Sequence, residues 1–263
     1  MPESKRDTGD GRIVVMVKDR IATITIDRAD KLNALDFDMI PALERAAHII
    51  DGDDHVRVAI ITGAGEKSFC AGGDIASWSG LTPEQFAMQW IRQGHRAFDA
   101  LARLRQPLIA ALNGHTLGGG LEVAVTADLR IAEEHVKLGF PETGLGILPG
   151  WSGTQRATRR FGAQLVRRMS VFGEIFTAEQ GLTLGLVDRV VPKGQSLTIA
   201  NEVADAVMRR GTLATQAAKM LINAAEGEES ERAMEALSSL AVAGSAELKE
   251  GVSAFKEKRK PRF

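Results

Sequence analysis

Residues 113–124, NGHTLGGGLEVA, place three consecutive glycines before a glutamate and an apolar run. Glycines in such a stretch turn the chain, cradle a phosphate, or leave backbone amides open to a ligand. The phosphate reading fails on spacing: Val123 stands where a dinucleotide fingerprint requires its third glycine. The other candidate, IITGAGEKS at 60–68, has Glu66 where a Walker loop needs glycine before Lys67, and Ser68 where the dinucleotide fingerprint needs one. A second glycine-rich segment, FCAGGDI at 69–75, also follows an apolar strand. Two amides converging from such segments would form a hole for negative charge developing on a carbonyl oxygen, and a helix starting at Gly119 or Gly120 would add its positive end. Tight turns and close packing remain the alternative at this point.

Outward from these segments the chain reads as α/β. RIVVMV (12–17) and IATITI (21–26) form a hairpin pair. In DFDMIPALERAAHIIDG (36–52), Ile40, Leu43, Ala47 and Ile50 repeat at helical spacing, and Gly52 is placed to end the helix. VRVAIIT (56–62) is apolar but for Arg57 and Thr62, as expected of a strand buried on both faces. LTPEQFAMQWIRQGHRAFDALARL (81–104) opens with Thr82, Pro83 and Gln85, a capping box with proline at the first helical position, and directs Phe86, Trp90, Ala97 and Leu101 inward. PLIAAL is a strand, GGGLEVAVTA a short helix and DLRIA a further strand. TAEQGLTLG is a second capped helix, followed by the strand LVDRVV and by PKGQ. A boundary near residue 195 separates a core, 1–195, from a C-terminal helical region, 196–263, that carries a stripe including Leu213, Ala217, Met220 and Leu221 for subunit or body contacts.

The two acids that stand out are Glu122 and Glu142. Glu122 sits among Leu121, Val123, Ala124 and Val125, where its carboxyl is poorly solvated; Glu142 follows Pro141 in LGFPETGLGILPG. Carboxylates kept dry have raised pKa values, and two of them flanking a substrate divide the work of base and acid. Taken singly, Glu122 reads as well as a helix N-terminal charge, and Glu142 as a surface charge of its loop.

Composition narrows the function classes. Across 263 residues the formal charge is −1, a poor match for nucleic acid despite basic clusters at 156–160, 167–168, 209–210 and the tail KEKRKPRF. Cys70, the single cysteine, allows neither an internal disulfide nor a cysteine-built metal site. Apolar runs fall short of the roughly 20 residues a membrane span needs, and MPESKRDTGDGR lacks the apolar core of a secretory signal, so a cytoplasmic protein is expected.

Together these segments resemble the crotonase, or enoyl-CoA hydratase/isomerase, superfamily over about residues 12–263. RADKLNAL (28–35) matches its early signature with Ala29 in place of proline, FCAGGDI its first oxyanion loop, NGHTLGGGLEVA its second, and LGFPETGLGILPGWSGTQR (138–156) the segment with the second acid. EGVSAFKEKRKPRF (250–263) resembles its C-terminal CoA-contacting helix. The resemblance implies a spiral of ββα turns assembled as a homotrimer or dimer of trimers. It implies that the amides of Gly73 and Gly119 bind a thioester oxygen and that Glu122 and Glu142 are catalytic. Ala71, Asp74, Ile75, Leu32, Leu117 and Pro141 are expected beside the acyl-CoA, Arg28 and Lys31 near its phosphate or adenine, and Phe255 and Lys258 at the CoA of an adjacent subunit. Retention of both acids favours hydration of a trans-2-enoyl-CoA over isomerase or lyase chemistry on an unusual acyl group, and over a CoA-ligand sensor or RNA-binding relative. No metal or redox cofactor is implied, because the thioester carbonyl is the electron sink. Ser152 and Trp151 depart from the smaller residues frequent in the family and suggest a differently shaped acyl pocket. His115 reads as a packed loop histidine or as a polar group near the site; Cys70, lacking a basic partner, reads as a small buried residue rather than a nucleophile.

Overall fold

The computed structural model describes residues 3–229, 236, 239 and 245–263. Two β-sheets organise the chain. In the larger, β1 (Ser4–Arg6), β2 (Ile13–Lys18) and β3 (Ile21–Ile26) are antiparallel; β4 (Val58–Gly63), β6 (Leu108–Leu112), β8 (Leu129–Glu133) and β11 (Arg189–Val191) extend the sheet from β3 in parallel. The smaller sheet has the order β10 (Phe176–Thr177), β9 (Lys137–Gly139), β7 (His115–Leu117), β5 (Ser68–Cys70), with β5, β7 and β9 parallel. Three times the chain runs along the large sheet, crosses to the small one and then enters helix: β4–β5, β6–β7 and β8–β9 are the three repeats. This is the spiral of ββα turns that the resemblance implied.

Side-chain alternation explains the layering. Ala59 and Ile61 of β4, with Leu108, Ala110 and Leu112 of β6, face the main core. The intervening Val58, Ile60, Ile109 and Ala111 face the other way, into a second cluster. Both faces are covered, so β4 and β6 are wholly buried, as parallel strands generally are. The main core is closed by helix α1 (Met39–Asp51), with Gly52 as its C-cap, and by a helical stretch from Pro83 to Ala102. That stretch carries the expected capping box, formed by Thr82 and Gln85. It is not one regular helix: α3 (Pro83–Gln85) and α4 (Arg92–Ala102) are joined by a π-helical turn, Phe86–Ile91, which re-aims Trp90 inward.

The second cluster is covered by α9 (Ser196–Met208), through Ala200 and Ala204 with Ile199, Val203 and Val207 packed beside them. Helix α9 therefore belongs with the sheet body, and the compact units divide at 215/216 rather than near 195: one unit spans 1–215 and the other 216–263. The second unit contains most of α10 (Thr212–Ala225) and α11 (Ala246–Lys256). The expectation of helix across 230–235, 237–238 and 240–244 lies outside the described residues.

One buried polar residue ties the loop 28–35 to the strands. Asn33, in the left-handed region that asparagine tolerates, accepts from Arg28 N at 2.9 Å and donates to the carbonyls of Ala64 (2.9 Å) and Ser68 (2.7 Å). The same loop then pairs with the first glycine segment: Ala71 N donates to Leu32 O, Leu35 N to Gly72 O and Asp74 N to Leu35 O. Asn33→Ala removes the partner of one buried and two partly buried backbone groups, and unfolding in urea is expected to show a loss of about 1–3 kcal/mol.

Candidate active site

Because β5, β7 and β9 run parallel and side by side, the segments that leave them emerge at one end of the small sheet. FCAGGDI leaves β5, LGGGLE leaves β7 and FPETG leaves β9, which brings segments distant in sequence to a common cleft. The cleft is small, about 110 Å³, and open to solvent at its mouth; Gly73, Gly119, Glu122, Glu142, Pro141 and Trp151 are among its lining.

The first glycine segment is pinned from behind. The hydrogen bonds of Leu35 to Gly72 and of Asp74 to Leu35 pass on either side of Gly73 and leave the Gly73 amide outside that pairing. Asp74 caps the short helix α2 (Ile75–Trp78) by accepting from Ala76 N at 3.1 Å, and its other oxygen meets Arg28 Nη1 at 2.8 Å. Arg28 also donates to Ala34 O at 3.0 Å. Its guanidinium is thus engaged within the fold, bracing the loop.

The second segment begins α5 (Gly119–Thr126), whose first amides have no intrahelical acceptor. Each of the three glycines has its own reason. Gly118 has φ +54°, and a β-carbon there would lie 2.8 Å from Glu142 Oε1. A side chain at Gly119 would meet the Trp151 ring at 2.8 Å, and one at Gly120 would collide with the Cys70 carbonyl. The two glycine loops touch, since a β-carbon at Gly72 would stand 3.1 Å from Gly119 N.

Glu122 projects from the first turn of α5 and is 3 % exposed. Its Oε1 accepts from the amides of Trp151 and Gly153, both at 2.6 Å, so these amides, rather than its own helix terminus, hold the carboxylate. Ser152 lies between them with φ +79°, a left-handed kink that turns both amides toward one oxygen. Burial, reinforced by repulsion from Glu142, pushes the Glu122 carboxyl up to about 8 against the two amide bonds. Glu142 opens a 3₁₀ turn, Glu142–Leu145, and is 8 % exposed, which removes the surface-charge reading. Its Oε2 is buried without a hydrogen-bond partner, and burial pushes its carboxyl up to about 7. The two acids titrate as a pair: burial raises both, and the two amides work against the rise on Glu122, while Glu142 keeps one oxygen without a partner.

Ala71 and Ile75 join Pro141 in the lining of the cleft, whereas Arg28, Lys31, Leu32, Asp74 and Leu117 are not among the residues that line it. Lys31 is exposed. Phe255, on α11 and 85 % exposed, and Lys258 belong to the second unit. Cys70 is fully buried, and burial pushes its thiol up to about 12, so it is no nucleophile. His115 lies at the start of β7, its ring 6.3 Å from that of His135, and is not among the cleft residues. Sequence reasoning missed the amides of Trp151 and Gly153, because main-chain donors leave no side-chain signature. It missed Asn33 as the peg of the loop, although the quoted signature contains it.

A model of the enoyl-CoA hydratase/isomerase family matches residues 17–263. The chain belongs to that family. It is 35 % identical to the crotonyl-CoA hydratase of Syntrophomonas wolfei, over 95 % of this chain and 97 % of that one. It is 36 % identical to the short-chain-enoyl-CoA hydratase of Clostridium acetobutylicum, over 80 % of each. Among solved structures, an enoyl-CoA hydratase from Bacillus anthracis superposes with a TM-score of 0.78 at 33 % identity, covering 96 % of this chain and 98 % of that one.

In this family member the raised carboxyls make stability depend on pH. Glu142 binds its proton more tightly folded, about 7, than at its ordinary value of 4.5, so its contribution is full below 4.5 and is lost as pH rises through about 7. Glu142→Gln removes that loss. The stability of the variant relative to the parent, measured by urea unfolding, should climb between pH 5 and 7 by at most about 3 kcal/mol and level off above.

Proposed function

We propose that this chain is an enoyl-CoA hydratase that adds water reversibly to a trans-2-enoyl-CoA to give a 3-hydroxyacyl-CoA, with Glu122 and Glu142 as its acid–base pair. The observation that carries the reading is the pair itself: two buried carboxyls with raised pKa values lining one cleft, one of them held by two main-chain amides. The Gly73 and Gly119 amides hold the thioester oxygen, where charge accumulates when C3 is attacked. Ionised Glu122, positioned through Oε1, takes a proton from water as the water oxygen bonds to C3. Protonated Glu142 delivers its proton to C2, and the enolate-like charge returns into the new C–H bond. The reaction so written needs no metal or redox cofactor, since the carbonyl accepts the electrons. With one proton shared by the pair near neutral pH, hydration requires that proton on Glu142 and the charge on Glu122, where the two amides are placed to stabilise it.

Hydration of crotonyl-CoA, followed as loss of the absorbance of the conjugated thioester, tests this. Glu122→Gln and Glu142→Gln should each lower kcat by roughly 10²–10⁴ with the fold retained. Normal turnover by either variant contradicts its assigned role, and product analysis separates hydration from double-bond migration.

Assembly as a homotrimer or dimer of trimers belongs to the same proposal, with Phe255 and Lys258 reaching the CoA of an adjacent subunit and exposed Lys31 near its phosphates. Exposed Leu221, Ile222, Leu248, Val252, Phe255 and Phe263 in the second unit support it, as apolar surface awaiting a partner. Light scattering on the purified protein should return three or six times the 28.3 kDa of one chain; a monomer at micromolar concentration overturns the assembly.

A further inference from the structure

We infer that the indole of Trp151, seated on Gly94, is a fixed stop that limits the acyl group to short chains. This deepens the hydratase reading and rests on it. Trp151 is 3 % exposed yet contributes to the cleft lining. Its ring lies behind both amide-bearing glycines: a β-carbon at Gly119 would be 2.8 Å from its Cζ3, and one at Gly73 would be 3.1 Å from its Cη2 and 2.8 Å from Cζ2 of Trp90. Its own amide holds the Glu122 carboxylate at 2.6 Å. The ring and the Glu122 carboxylate are therefore anchored by one residue, and the ring stands against both glycines whose amides face the cleft.

The ring has no room to swing aside. Nε1–H donates to Trp90 O at 3.3 Å, the carbonyl being presented by the π-helical turn. The Trp90 and Phe98 rings pack on it at centroid distances of 5.0 and 5.2 Å. Below it lies Gly94 of α4, where any β-carbon would run into the indole, so the helix is shaped to receive this ring. A side chain so immobilised, in a core packed near crystal density, acts as a gauge of length rather than as a gate. The apolar residues on the open side, Leu145 and Leu148, are exposed at the mouth.

The test is kcat/KM over straight-chain trans-2-enoyl-CoA thioesters of four to ten carbons. For the parent, the eight-carbon substrate should be poorer than the four-carbon one by at least about tenfold, the scale on which a filled pocket rejects added methylenes. Trp151→Ala, which keeps the amide on Glu122, should raise the eight-to-four-carbon ratio by about tenfold or more, and Trp151→Phe should raise it less. A ratio unchanged in both variants, with four-carbon turnover persisting, overturns the inference. Should Trp151→Ala fail to fold, Trp151→Phe carries the test alone: its eight-to-four-carbon ratio should exceed that of the parent by at least about threefold. An unchanged ratio overturns the stop. A parent that hydrates no enoyl-CoA of any length removes the hydratase reading and this inference with it, whereas hydration with no length preference removes only the inference.

Discussion

The parallel pairing of β5 with β7 and of β7 with β9 is the constraint on which the site depends. Each strand is three residues long, too short to be stable alone, and each is delivered by a longer strand of the large sheet. The large sheet thus pays for the order of the small one. Parallel direction makes the three exits coincide, so an amide from one loop, an amide and a carboxyl from the next, and a second carboxyl from the third face one space. Such proximity leaves little side-chain volume: the glycines stand where loop meets loop, carboxyl or ring, and a β-carbon there would press on that neighbour.

The electrostatics of the site follow from that crowding. A lone buried carboxylate shifts its pKa until it is neutral, and a second one alongside raises it further. Two amides converging on Glu122 Oε1 oppose the shift, while Glu142 has one oxygen left without a partner. Burial raises both acids, and the unequal hydrogen bonding is what distinguishes their two settings.

Much of this was legible in the residues. The apolar run of β4, the capping boxes at Thr82 and Thr177, and the hairpin of β2 and β3 are local signals, carried by neighbours in sequence. The glycine segments and both acids could be singled out from spacing and setting. The small sheet could not: a three-residue strand such as His115–Leu117 has no periodicity to detect, and its existence is decided by partners 47 residues earlier and 22 later. Helix α9 shows the opposite failure, a well-formed amphipathic pattern whose destination, the back of the large sheet, is decided by the second face of β4 and β6. Arg28 pairs with Asp74 at 2.8 Å, a contact between two loops that the spacing of residues 28 and 74 does not announce.

Residues 151–153 show why departures from a family pattern inform as much as matches. Ser152 holds φ +79°, where glycine is unstrained and serine bears a cost of about 1 kcal/mol or more. The kink cannot relax, because flattening it would swing either the Trp151 or the Gly153 amide away from Glu122 and leave a buried carboxylate half held. Nor can Trp151 shift its ring independently, since Gly94, Phe98 and the Trp90 carbonyl enclose it. Main-chain geometry at position 152 therefore connects the ring that bounds the cleft to the Glu122 carboxyl, so a change in the shape of the cleft here bears directly on the placement of that acid.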